Sequence, residues 1–536
     1  MIGIIAILSS TGFAAMSSES LPRNEAALEA TVPPLRKGDP ETHIRRGADE
    51  HRPLSFRQVG SPGKNASAKP RYLRYTPSAN FAQLLLDMVL IGGSQAVVFT
   101  IIRSRLDLYS LTEALVVVGL STLMSLILLY STGCYRRDAL IERGVAISRV
   151  PTALTIAGAI LFIGLHYDFP YFFPSHRVYL SISRCVTIIL IGTSISLVAA
   201  ILSRNVIRVL LHGDIFRRRI LVIGTGQRAS HIEAINRAHG YLQEMHFIRA
   251  EVLLDPEAAA GPANPLSRAS LDELVDKLAV DEIVVAVDHH SRIPLDNLVP
   301  LKTRGIPVTS FNSFVERQTG RIEMAWLEVP WLIHTPGFQF RLIDDAMKRF
   351  TDIVISFAAL IVCLPVLLIA MALVRLDSRG PVIYRQQRVT RGGKIFWLYK
   401  LRSMRPDAET NGAKWADKND PRITKVGSFL RRTRLDESPQ LFNILKGDMS
   451  IVGPRPERPC FVEELSSQLH LYSLRHTVRA GLTGWAQINY HYGASFEDSQ
   501  RKLEYDLFYI KNFSLLRDWA IMLQTLRVIL WPDGVR

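Results

Sequence analysis

Thr351–Val374, T-D-I-V-I-S-F-A-A-L-I-V-C-L-P-V-L-L-I-A-M-A-L-V, is the stretch that decides how the chain is organised. About 20 apolar residues cross a bilayer as a helix, so its length permits a span. Its flanks oppose one. Lys348 and Arg349 precede it, and Arg375, Arg379, Arg385, Arg388, Arg391, Lys394, Lys400 and Arg402 follow. Cytoplasmic flanks carry such an excess of Lys and Arg, so both ends are expected on the cytoplasmic side. Pro365, near the middle, removes one helical hydrogen bond and bends the helix. These features predict a re-entrant membrane helix over about 348–375 that bends at Pro365. The competing reading is an ordinary kinked span.

On the N-terminal side lie four more apolar segments, near 79–102, 109–131, 146–166 and 179–202. Each is about long enough to span. Arg71 and Arg74 precede the first, Arg136, Arg137 and Arg143 separate the second and third, and Arg204, Arg208 and Arg217–Arg219 follow the fourth. The aromatic loop 166–177 suits a membrane interface. Arg103 and Arg105 run against the pattern, but the balance puts both ends of a four-helix transmembrane bundle, 79–212, in the cytoplasm. Residues 1–78 have no apolar periodicity and read as a disordered cytoplasmic tail. Residues 1–16 look like a signal peptide without its basic start.

Between the bundle and the re-entrant segment, I-L-V-I-G-T-G-Q-R-A (220–229) reads as a buried strand entering a glycine turn. Further strands are expected at 251–255, 281–288 and 306–311, with helical stretches between. This alternation predicts a Rossmann-like α/β domain over 213–335. Gly224, Gly226 and Ala229 fit G-x-G-x-x-A, which makes the turn a candidate nucleotide site. No acid stands clearly at the usual distance, and a tight strand-to-helix link asks for glycine too.

The 536 residues carry a net charge of +15, with 48% hydrophobic and 21% charged residues. That balance suits membrane helices joined to polar domains that meet membrane lipids or phosphorylated substrates. Nucleic acid is not expected as a partner, because no aromatic-interleaved basic surface or binding module is visible. Cys134, Cys185, Cys363 and Cys460 are scattered, which indicates neither a disulfide framework nor a zinc site.

Asn419–Pro459 holds Arg422, Lys425, Arg431, Arg432 and Arg434 with no anion between Pro421 and Leu435, and then Asp436-Glu437. Ser438-Pro439 reads as an N-cap and first helical residue, and Gly447 as the helix end. A carboxylate pair at a helix start among cations suits phosphate handling. A solvated basic face with capping acids fits the spacing equally well.

The motifs K-R-F-T-D-I-V-I-S-F, L-D-S-R-G-P-V-I-Y-R-Q-Q-R-V, G-G-K-I-F-W-L-Y-K-L-R-S-M, the whole of Asn419–Pro459, and G-L-T-G-W-A-Q-I-N-Y stand in one order over 345–536. Together they resemble the bacterial sugar transferases, monotopic phosphoglycosyl transferases. The bundle and Rossmann-like domain ahead resemble the long form, the exopolysaccharide polyprenyl glycosylphosphotransferases. The resemblance implies a mainly α monotopic catalytic domain, 336–536, on the cytoplasmic face of the inner membrane. It implies transfer of a sugar 1-phosphate, of glucose or galactose type, from a UDP-sugar to undecaprenyl phosphate. Asp436 would be the nucleophile and Glu437 its metal-positioning or acid–base partner, with Mg²⁺ held through both. Arg431 corresponds to the family's phosphate-contacting arginine. Arg455 is expected as a second phosphate clamp, and Lys400 and Arg402 as further substrate contacts. Asp448 reads as a turn cap or a support for the metal, Thr483, Gly484 and Gln487 as pocket residues, and His476 as structural or a phosphate ligand. Trp519 and Trp531 suggest an interfacial helix. Leu364-Pro365 stands where the family often has Ser-Pro. A homodimer through the Rossmann-like domains is compatible with this plan. Of the rival classes, a membrane nucleotide-sugar dehydratase needs Y-x-x-x-K, which occurs nowhere in the chain. A membrane-tethered nucleotide-binding regulatory protein is the other alternative.

Overall fold

The computed structural model describes residues 79–106, 111–136, 139, 143–164, 182–212, 218–224, 226–239, 243–248, 271–288, 295–339, 341–405, 422–490, 493 and 495–530. The expected tail (1–78), the aromatic loop, the strand at 251–255 and Trp531 lie outside them. The chain forms two compact units, one of 78–212 with 319–536, the other of 213–318.

The first unit begins with four helices at the expected apolar segments: α1 (Ala79–Leu106), α2 (Leu111–Ser131), α3 (Arg143–Ile163) and α4 (Ile182–His212). Each of α1 and α3 packs on both α2 and α4, around Ile91, Leu129, Val150, Ala153 and Ala200. Inside, the fully buried Asp87 accepts from Gln83, Ser203, Tyr135 Oη (2.9 Å) and Arg204 Nη1 (3.0 Å). A buried charge is costly unless paired, so this cluster fixes α1 against α4. Val89, Leu115, Leu190 and Val198 stay exposed, as lipid-facing side chains are. Asn80–Ile101 and Val186–Leu210 are long and apolar enough to cross a membrane; Leu115–Ser131 and Ile147–Ile163 are shorter apolar stretches.

The second unit is a parallel α/β sheet. In chain order it holds β1 (Arg218–Ile223), α5 (Gln227–His239), β2 (Gln243–Ile248), α6 (Leu271–Lys277), β3 (Glu282–Val285), α7 (Leu295–Thr303), β4 (Val308–Ser310) and α8 (Phe311–Thr319). Strand order is β2-β1-β3-β4, all pairs parallel, with Ile220 opposite Met245 on one side and Glu282 on the other. Three strands fall where the apolar runs predict them. The edge strand β2, Q-E-M-H-F-I, does not. An edge strand is covered less than a central one, and Met245, His246 and Phe247 are only half-buried, so no continuous apolar run marks it.

The first unit resumes with α9 (Val329–His334) and α10 (Leu342–Asp377). The latter is one continuous helix of 36 residues with Pro365 inside it, about 54 Å long at 1.5 Å per residue. An antiparallel hairpin follows, β5 (Ile383–Val389) and β6 (Ile395–Leu401), then α11 (Lys425–Thr433), α12 (Gln440–Lys446) and β7 (Met449–Val452). The chain continues through α13 (Pro459–Gln468), β8 (Ala480–Thr483, parallel to β7), α14 (Trp485–Asn489), α15 (Phe496–Lys511) and α16 (Leu515–Leu530).

Both halves of α10 pack on these elements. Ile355, Ala359 and Leu360 join the core of Leu398, Ile444, Met449, Val452 and Tyr509. Beyond Pro365, Leu367, Ala370 and Val374 pack on Leu401, Leu430 and Leu435. Polar bonds secure the first half: Lys348 pairs with Asp518, and Asp352 Oδ1 accepts from Ser450 Oγ (3.1 Å) and Ile451 N (3.0 Å). The opposite side, with Phe350, Val354, Phe357, Ile361, Leu368 and Leu376, is exposed and apolar.

Candidate active site

The carboxylate pair sits in a tight turn held against α10. Arg434 ends α11 in the left-handed conformation (φ +58°), and Leu435–Glu437 form a 3₁₀ turn. Leu435 packs under α10, so its neighbour Asp436 is anchored to the apolar helix. The helix start differs from expectation. Ser438 already has helical angles (φ −54°, ψ −35°), and Pro439 rather than Ser438 occupies the N-cap of α12. The turn is the reason: the N–H groups of Glu437 and Ser438 bond back to Arg434 O and Leu435 O, at 3.2 Å each. Gly447 closes α12 as expected (φ +97°), and Arg349 of α10 donates to the carbonyls of Ile444 and Leu445.

Asp436 and Glu437 are both buried, yet their surroundings divide them. Glu437 Oε1 lies 3.1 Å from Lys400 Nζ, 3.1 Å from Arg455 Nη2 and 3.6 Å from Arg434 Nη1. Burial pushes the Glu437 carboxyl up, but these three cations outweigh it and hold the group well below the usual carboxylate range. Asp436 goes the other way. Burial, and then the charge of Glu437, raise it to about 6 against the pull of Lys400, Arg434 and Arg431. Its Oδ1 is buried without a hydrogen-bond partner. Glu437 is therefore a fixed anion that gathers cations, and Asp436 a desolvated carboxyl with one oxygen open.

Arg455 is aimed by a loop whose successive carbonyls are all tied. Gly481 N donates to Pro454 O (2.8 Å), Arg475 Nη2 to Arg455 O (3.0 Å), Arg388 Nη1 to Pro456 O (3.0 Å) and Val389 N to Glu457 O (3.0 Å). A side chain at Gly481 or Gly484 would strike the backbone of Gly453, so the G-L-T-G glycines are what lets β8 and the loop close up. Thr483 Oγ1 meets Thr525 Oγ1 at 2.8 Å, and Gln487 Nε2 donates to Leu482 O, which gives both a packing role here.

Other expected residues stand elsewhere. Arg402 is buried at the end of α10, where its Nη2 donates to Ser378 O (2.7 Å) and Ser378 Oγ (2.9 Å). It serves as a helix-end cap and is not among the cations paired with Glu437. Asp448 pairs with Lys446 (3.2 Å) and its N–H bonds to Asn443 O, as a turn cap does. His476 is pushed down to about 4 by burial and by Arg475, so it is neutral and a poor phosphate ligand. Arg434, Arg475 and Asp506 were not expected as site residues. Arg434 stood in plain view in the basic run; the other two carry no local signal.

In the second unit, Gly224 and Gly226 are explained by packing. A side chain at Gly224 would strike Ala286 O, and one at Gly226 would strike the Asp288 carboxylate. That carboxylate accepts from the first N–H groups of α5, Gln227 N (2.9 Å) and Arg228 N (3.1 Å). These are the donors a bound phosphate uses in such a turn.

Among the described residues no group of three or more His, Cys, Asp or Glu is gathered as a metal cage. Mg²⁺ does not need one, since it is held by one or two carboxylates, waters and substrate phosphates. The open, buried Asp436 Oδ1 beside a second carboxylate fits that pattern.

The family model described as "Bacterial sugar transferase" matches residues 343–532, which include all of α10 but its first residue, both carboxylates and Arg455. The chain is 41% identical over 234 residues to the UDP-N-acetylgalactosamine-undecaprenyl-phosphate N-acetylgalactosaminephosphotransferase of Aeromonas hydrophila, covering 43% of this chain and 54% of that one. It is 38% identical over 258 residues to the UDP-glucose:undecaprenyl-phosphate glucose-1-phosphate transferase of Klebsiella pneumoniae, covering 46% and 54%. The match thus spans about half the length of these two relatives. With the exopolysaccharide production protein PSS of Rhizobium leguminosarum it is 41% over 191 residues, 34% of this chain and 94% of the relative. With the motifs in order and a matching relative covered almost end to end, the chain belongs to the bacterial sugar transferase family, with four further helices and an α/β unit ahead of the family's domain.

Proposed function

We propose that the chain transfers a sugar 1-phosphate from a UDP-sugar to undecaprenyl phosphate and releases UMP, with Asp436 as the covalent carrier. The observation that carries this reading is the buried Asp436 oxygen without a protein partner, set among Lys400, Arg431 and Arg434. In the first step Asp436 attacks the sugar-bearing phosphorus. The bridge to the nucleotide's other phosphorus breaks, UMP leaves, and an aspartyl-phosphate carries the sugar. In the second step a phosphate oxygen of undecaprenyl phosphate attacks the same phosphorus. The bond to Asp436 breaks and the carboxylate is restored.

Two anionic substrates must approach a carboxylate, so charge is the main obstacle. Lys400, Arg434 and Arg455 offset it, and Glu437 holds them in place because their attraction keeps it ionised. That leaves Glu437 as an electrostatic organiser rather than a proton carrier. Asp436, raised to about 6, is still mostly ionised at neutral pH and is more basic than an exposed carboxylate. Mg²⁺ would be held by Asp436 and Glu437 and would neutralise charge on the phosphates. The names of the relatives favour glucose or N-acetylgalactosamine as the sugar and exopolysaccharide as the destination. Full-length protein with undecaprenyl phosphate, Mg²⁺ and a panel of UDP-glucose, UDP-galactose and UDP-N-acetylgalactosamine is expected to release UMP with at least one donor. Silence across the panel overturns the reading.

The same proposal makes α10 re-entrant, with the catalytic elements on the cytoplasmic face. Support comes from packing: the segments on both sides of Pro365 rest on the elements that carry the dyad, while the other side of the helix is apolar and exposed. Exposed Leu516 and Trp519 on α16 suit the lipid interface beside it. In a chain freed of native cysteines, Ile343→Cys and Leu376→Cys, both at exposed positions, are expected to react with an impermeant thiol reagent from the cytoplasmic side only. Labelling from opposite sides would show a crossing helix.

A further inference from the structure

We propose that Arg475 and Asp506 are positioning residues for Arg455, an inference that rests on the reading of Arg455 as a phosphate-contacting cation of the transferase. Arg475 lies in the turn Tyr472–Thr477 and Asp506 on α15, both buried. One nitrogen joins them to the site. Arg475 Nη2 stands 3.0 Å from Asp506 Oδ2 and 3.0 Å from the carbonyl oxygen of Arg455. Its Nη1 donates to Tyr472 Oη, and its guanidinium carbon sits 5.0 Å from the centre of the Tyr472 ring. The guanidinium is thus fixed by an anion, a hydroxyl and an aromatic ring, and what it presents to the active-site loop is a single donor.

The loop shows why that donor matters. Pro454 and Pro456 have no N–H, so the segment is held through its carbonyls. Those of Pro454 and Glu457 are bonded by strand backbone, and that of Pro456 by Arg388. The carbonyl of Arg455 itself is bonded by Arg475. From there the Arg455 side chain reaches Glu437 Oε1 at 3.1 Å. A buried ion pair is weak evidence of stabilisation, since apolar residues of similar volume do as well. Delivering a charged donor to one carbonyl is a task apolar residues cannot perform. Misplacement of a substrate-contacting group by about 1 Å costs on the order of a hundredfold in rate.

The test is a double-mutant cycle on the full-length protein in membranes, read as kcat and KM for UMP release. Arg475→Lys keeps the charge but cannot serve Asp506, Tyr472 and Arg455 O together. It is expected to lower kcat roughly tenfold, as for loss of a charged hydrogen bond, with KM for the UDP-sugar little changed. On top of Arg455→Ala it should add less than about twofold, because its effect runs through Arg455. Tyr472→Phe removes only the hydroxyl and should give the same pattern at about threefold; it carries the test if Arg475→Lys fails to fold. Equal losses in both backgrounds, or no loss from either variant, overturn the positioning role alone. Wild-type protein that releases no UMP overturns the transferase reading and this role together.

Discussion

Asp436→Asn is expected to release no UMP above background with any UDP-sugar that the wild type uses, a loss of at least about a thousandfold. The variant keeps the size and the turn of the wild type, so membrane content and folding should be unchanged. What disappears is the oxygen pair that forms and breaks the bond to phosphorus. The second half-reaction offers a separate check. Wild-type protein given UDP-sugar without undecaprenyl phosphate should carry a sugar-phosphate label that hydroxylamine releases, as from an acyl phosphate. Asp436→Asn should carry none. A variant that keeps turnover, or that still takes up the label, removes Asp436 from the role of nucleophile.

Glu437→Gln should cost less, roughly a hundred- to a thousandfold in kcat, and should change the pH dependence in a defined direction. If Asp436 is the nucleophile proposed above, its active form is the carboxylate. Its pKa of about 6 makes activity rise as pH increases through that value. Part of the elevation comes from the neighbouring charge of Glu437, second only to burial. Removing that charge leaves Lys400, Arg434 and Arg455 without their common anion and closer in effect to Asp436. The acid limb of kcat/KM is therefore expected at lower pH in Glu437→Gln than in the wild type. A limb that stays in place, or moves to higher pH, contradicts the division of roles between the two carboxylates.

The large features of this protein are written locally and could be read without a structure. Apolar runs mark α1 to α4 and α10, and those of α1, α4 and α10 are long and apolar enough to cross a membrane. The two acids at the end of a basic run are equally compatible with a solvated face, and it is the order of motifs around them that marks them as a candidate site. What was not legible depends on pairs distant in sequence. Lys400 reaches Glu437 from β6, whose register opposite β5 sets its direction, and Arg455 reaches it from a loop on the other side. The left-handed turn at Arg434 moved the helix start past Ser438, and nothing in R-T-R-L-D-E-S-P distinguishes that from an ordinary cap. Arg402 is a further case. Two residues from Lys400 and equally basic, it turns to the end of α10. Charge type placed both near phosphate, and only backbone direction separates them.

The carboxylate of Asp288 across the glycine turn of the α/β unit has a consequence for any nucleotide that meets it. It is a competitor tied to its own receptor, present at an effective concentration on the order of millimolar or above. A phosphate group arriving from solution must displace it before reaching the backbone donors of Gln227 and Arg228, and so binds more weakly by that margin. The turn that most resembles a dinucleotide site thus carries its own antagonist, and the α/β unit can complete its helix start without a ligand.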